Sequence, residues 1–74
     1  MEIFTERERD VLFLLLLGLN NKEISDKLFI SNHTTKAHVA SIYKKLGVVN
    51  RVQAAVKSMK LGAAEYFGLK IDAV

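Results

Sequence analysis

Cysteine and proline are both absent from this chain of 74 residues. Without cysteine there is no disulfide, no thiolate metal ligand and no cysteine nucleophile, a composition that fits a reducing compartment and makes the cytoplasm the expected location. Proline is missing and β-branched residues never alternate with polar ones, so strands have no support and the periods to look for are helical. Long apolar runs are scarce as well. The block "VLFLLLLGL" at 11–19 is too short to span a bilayer. It follows the mixed charges of Glu6, Arg7, Glu8, Arg9 and Asp10, and "NNKE" stands where a signal peptide would carry a small-residue cleavage site, so no membrane partner is expected.

Acid is missing from a long central stretch. From Lys27 to Lys60 every charge is positive (Lys27, Lys36, Lys44, Lys45, Arg51, Lys57, Lys60), although the net charge of the chain is only +3. A one-sign zone of this kind suits a surface that meets phosphates. Catalysis is not expected: there is no glycine-rich phosphate loop, no carboxylate pair in a plausible pocket and no nucleophile with an oriented base. Metal binding is not expected either. His33 and His38 are five residues apart and point about 140° from each other on a helix, whereas helical ligand pairs usually sit four apart, and no cofactor motif is present.

Half of the residues are hydrophobic, enough for one small domain with a core. Four helices are predicted. Thr5 to Glu8 has the spacing of a capping box and opens a helix over about 6–17, which Gly18 can end in the left-handed conformation. Asn20 or Asn21 caps a second over about 21–29, with Glu23 near its positive end. Ser31 caps a third over about 32–46, stopped by Gly47, and the link of about "FIS" is short enough to make these two helices cross steeply. Asn50 caps a fourth over about 51–61. The domain is thus placed at 1–62, and 63–74 is expected to be a tail or a short fifth helix.

At 100° per residue, Thr35, Val39, Ile42 and Leu46 fall on one stripe of the third helix, which predicts the core side. The opposite side carries His33, Ala37, Ala40, Ser41 and Lys44, with Lys36 and Tyr43 on one flank and His38 and Lys45 on the other. The two alanines keep this side slim, and the DNA major groove, about 12 Å wide, admits a slim helix.

The segments "TERERDVL" (5–12), "GLNNKEIS" (18–25), "LFIS" (28–31), "TTKAHV" (34–39) and "IYKKLGVVNRVQAAV" (42–56), in this order and spacing, resemble the LuxR-type helix-turn-helix pattern across nearly the whole chain. That resemblance implies an all-α, four-helix DNA-binding domain of a bacterial transcriptional regulator, with the third helix in the major groove and the fourth supplying a homodimer contact. Carried over position by position, Lys36, Ala37, Ala40 and Ser41 are base-facing, while Asn21, Lys22, Thr34, His38, Lys45 and Arg51 occupy or neighbour backbone-contact places. The dimer seam is expected at Val52, Val56 and Met59; Lys57 and Lys60 at its border predict a weak, DNA-assisted dimer. A stand-alone regulator and the C-terminal domain of a response regulator both match the pattern.

Two departures concern the second and third helices: Ser25 stands where alanine is usual, and Thr35 where valine is usual. The Thr35 hydroxyl is expected to bond back to the Ser31 carbonyl or to remain without a partner. A third departure lies on helix one, whose core side is Val11, Leu12 and Leu15, so that Phe13 and Leu17 face away. They are expected to meet the Tyr66-Phe67 tail of the same chain, or to form a second interface for another protomer or a partner such as RNA polymerase. The rival function is accordingly a helix-turn-helix-shaped protein-interaction module; the segment "KLGVVNR" after the third helix argues against a sigma-factor region.

Overall fold

The computed structural model describes residues 1–70. Five helices follow in order: α1 (Glu6–Leu16), α2 (Asn21–Leu28), α3 (Asn32–Leu46), α4 (Arg51–Lys60) and α5 (Ala63–Phe67). Among the described residues there is no strand. The last four residues of the expected 63–74 tail lie outside the described residues.

Local chemistry sets most helix starts. Thr5 Oγ1 accepts from the Glu8 N–H at 3.1 Å while Glu8 Oε1 accepts from the Thr5 N–H at 2.9 Å. Asn20, rather than Asn21, forms the same reciprocal box with Glu23, both bonds being 2.8 Å. Ser31 caps α3 through the Thr34 N–H, and Asn50 caps α4 through that of Gln53. Each box satisfies backbone donors that a helix start leaves without partners.

The ends differ from expectation by a residue in three helices. The clearest physical reason is at α2, where Phe29 is not helical but takes the left-handed conformation at φ 56°. Glycine or asparagine is the usual residue at such a corner; here the phenylalanine ring is 94% exposed.

Helix α3 is the axle of the fold, packing against α1, α2 and α4. Its buried residues are Thr35, Val39, Ile42 and Leu46, the stripe that the helical period predicts. Around them close Val11, Leu12 and Leu15 of α1, Ile24 of α2, Ala54 of α4, and Phe4 from the lead before α1. Residues 63–67 belong to the same body: Ala63 is fully buried, and the Phe67 ring lies 5.4 Å from that of Phe13.

The α2–α3 junction holds a polar contact in place of the expected one. Thr35 does not depend on the Ser31 carbonyl; its Oγ1 lies 2.7 Å from Ser25 Oγ, and Ser25 in turn donates to the Asn21 carbonyl at 2.7 Å. With the serine proton spent on Asn21, Thr35 is the donor within the pair. The two departures from the common pattern therefore answer each other across the helix-turn-helix corner.

A second polar contact ties α1 to α3. Glu8, only 5% exposed, accepts from Lys45 Nζ at 2.6 Å and from Ser41 Oγ at 2.5 Å besides its capping bond to Thr5. Burial opposes the charge of Glu8. The hydrogen bonds from Lys45, Ser41 and Thr5, together with the charge of Lys45, overcome it and lower the carboxyl from its ordinary value of 4.5 to about 2. A third tie runs from α4 to α1: the Arg51 guanidinium donates to the carbonyls of Leu15, at 3.2 Å, and Leu19.

Two stability measurements check these ties. Ser25→Ala removes the acceptor of Thr35 and should cost about 1–2 kcal/mol, and adding Thr35→Val should recover about 1 kcal/mol because neither hydroxyl is then left alone. Urea unfolding of both single variants and the double variant reads the coupling; strictly additive costs would show the hydroxyls to be independent. Glu8→Gln should cost about 2 kcal/mol at neutral pH. Because the folded pKa of Glu8 is depressed, its contribution is full above pH 4.5 and is lost as the pH falls through about 2. The stability gap between the two proteins should therefore be constant from neutral pH to about 4.5 and close below it.

Candidate nucleic-acid interface

Why α3 presents its outer side to solvent follows from what packs on it. Helices α1, α2 and α4 cover its inner stripe, and α1 extends along the flank of Ser41 and Lys45 through Glu8. What remains uncovered includes a row one helical turn apart, His33, Ala37, Ala40 and Lys44, with Lys36 beside it; all five are exposed, as are Asn32 at the start of the helix and Lys45 on the α1 flank. No acid lies within α3, and the Ser31 cap leaves its N-terminal end, with the partial positive charge of a helix start, beside this row.

The remaining sequence candidates fall into two groups. Lys22 is exposed on the first turn of α2; Asn21, Thr34 and His38 are half-buried at the edges of the same face. Thr34 Oγ1 accepts from Ser31 Oγ at 2.9 Å, which orients it at the start of α3 and leaves its own proton free to point outward. Ser41, Lys45 and Arg51 have partners inside the fold. Ser41 and Lys45 both donate to Glu8, and Arg51 to the end of α1 and the link after it. His33 and Lys44 stand in the exposed row although neither was among the site candidates; their position on the outward side of the helical wheel was the signal.

The α4 surface is apolar where the fold leaves it open. Val52 is 74% exposed and Val56 51%, Val49 just before the helix is 80% exposed, and Met59 is half-buried. Lys57 and Lys60 border this strip. On α1, Phe13 is half-covered by Phe67, which Tyr66 meets edge-on at 4.9 Å, whereas Leu17 remains 52% exposed.

Among the described residues, no group of three or more histidine, aspartate or glutamate side chains could hold a metal ion, and no helix is long and apolar enough to cross a membrane.

Comparison with known proteins agrees with the fold. The family model described as bacterial regulatory proteins, luxR family, matches residues 2–58. The chain is 50% identical over 62 residues to the transcriptional regulatory protein LnrK of Bacillus subtilis (strain 168), covering 84% of this chain and 28% of that protein. It is 41% identical over 63 residues to the spore germination protein GerE of the same organism, covering 85% of each. The crystal structure of the response regulator ChrA, from a heme-sensing two-component system, matches with a TM-score of 0.74 and 42% identity over 77% of this chain and 28% of that one. The chain thus spans about a quarter of the length of LnrK and ChrA and most of that of GerE. An all-helical body with a basic outer row on α3, matched by this family model over most of its length, has one reading: the chain belongs to the LuxR family of bacterial regulatory proteins, which are DNA-binding transcription regulators and not enzymes.

Proposed function

We propose that this chain binds double-stranded DNA sequence-specifically in the bacterial cytoplasm, placing α3 in the major groove, and that two copies associate through α4. The observation that carries the reading is the exposed row of α3, slender at Ala37 and Ala40 and cationic at Lys36 and Lys44, with no acid along the helix. A slim helix fits the groove, and its charges replace the counterions of the phosphates.

The residues divide the work by chemistry. Lys36 has the reach and the donors for a guanine edge, and the methyls of Ala37 and Ala40 complement a thymine methyl. Lys22, Asn21, Thr34 and His38 around the start of α2 and the edges of α3 contact phosphates and fix the register. Lys44 adds a further cation at the far end of the row.

The dimer rests on the exposed Val52 and Val56, with Met59 beside them. This is too small an apolar strip for a tight interface, and Lys57 and Lys60 repel across it unless DNA brings the two copies together. Two half-sites on one face of the duplex, one helical turn or a multiple apart, follow from such a pairing.

Selection of duplexes from a random pool yields the operator, and two measurements on it test the reading. Lys36→Glu should weaken binding about 100-fold, the loss expected for a reversed base-contacting charge, while the far-ultraviolet spectrum stays helical; unchanged affinity would remove α3 from the groove and favour a protein-interaction module. In sedimentation, the free chain should run as a monomer and the complex with a duplex of two half-sites should hold two chains, with Val52→Asp leaving only one bound. A tight dimer without DNA would refute the DNA-assisted association.

A further inference from the structure

We infer that Glu8 determines which side chains of α3 a duplex can use, by withholding Ser41 and Lys45 from it. The inference rests on the proposed docking of α3 in the groove. It departs from what the resemblance implies, in which Ser41 faces the bases and Lys45, on the flank of α3, occupies or neighbours a backbone-contact place.

The geometry is specific. Glu8 offers two oxygens to α3: Oε2 takes the Ser41 proton at 2.5 Å and Oε1 takes Lys45 Nζ at 2.6 Å. A hydroxyl has one proton, so Ser41 has none left for a base acceptor such as guanine O6 or N7. The Lys45 ammonium, its side chain one-third exposed, sits against a carboxylate that is itself nearly out of water. A phosphate must compete with that carboxylate for it. The net charge Lys45 presents to DNA is therefore cancelled locally, and the cations left on the outer row are Lys36 and Lys44, which have no ion-pair partner among the described residues. Glu8 is thus a positioning residue: it touches no DNA and acts through two side chains one turn apart on α3.

Two variants test this on the duplex recovered by selection. Ser41→Ala should change neither the affinity, within about twofold, nor the selected bases. Glu8→Gln removes the charge but keeps the shape, freeing Lys45 for a phosphate, so the plot of log affinity against log salt should steepen by about 0.9 per bound chain. A merely structural role would lower the folded fraction, which circular dichroism at each salt concentration reads separately, and would leave the slope of the folded protein unchanged. Circular dichroism also checks that Glu8→Gln folds; if it does not, Glu8→Asp, which shortens the reach to Lys45, takes its place with the same expected sign. Loss of affinity or altered base choice in Ser41→Ala, or an unchanged salt slope in the folded Glu8 variant, overturns the inference and leaves DNA binding standing. Failure of the parent chain to retain any duplex at low salt would sink the proposed function instead, and this inference with it.

Discussion

A single carboxylate fixes how the first helix, packed on the third through Val11, Leu12 and Leu15, is placed along it. Glu8 is needed by its own helix, since it closes the capping box with Thr5, and it is needed by α3, whose Ser41 and Lys45 it binds. Leaving a buried charge without partners is among the costliest changes a small fold can suffer. The start of α1 and the C-terminal half of α3 are therefore set relative to each other by the requirement that one anion keep all three donors. The outer row of α3 inherits its orientation from that requirement.

The rest of the scaffold shows the same economy. A chain this short buries few large side chains, and the fully buried ones are few: Leu12, Ile24, Ile42 and Val11 lead them. Directional contacts sharpen what this core leaves loose. Ser25 and Thr35 fix the corner between α2 and α3, and Arg51 fixes the start of α4 against the end of α1. Apolar packing tolerates small rotations of one helix on another, whereas a hydrogen bond of 2.7 Å between two buried hydroxyls does not. One buried hydroxyl, Ser58 Oγ, has no partner among the described residues.

Features governed by neighbours in sequence were legible before any coordinates. The capping residues Thr5, Ser31 and Asn50, the stop at Gly47 and the buried stripe of α3 all follow from spacings of three or four residues, which a helix converts directly into contact or shared facing. The exposure of Lys36, Ala37 and Ala40 follows from the same period. Contacts between residues far apart in the chain were not legible. Glu8 and Lys45 are 37 positions apart and Arg51 and Leu15 36, and nothing in the local pattern of either partner names the other. Thr35 shows the difference in one residue: a local rule pointed to a carbonyl four positions back, but a hydroxyl ten positions away, at the same depth in the junction, was the better partner. Phe4 was missed because a lone aromatic ahead of the first cap belongs to no period, yet it is 3% exposed.

The corner at Phe29 has a practical consequence. Its backbone carries the left-handed twist, while its ring rests on nothing and points into water. Since the chain holds no native thiol, a cysteine placed there would be the sole reactive sulfur, at a point where a dye or spin label displaces no packed atom. The bend between α2 and α3 thus offers an attachment point for spectroscopy that the helices themselves do not.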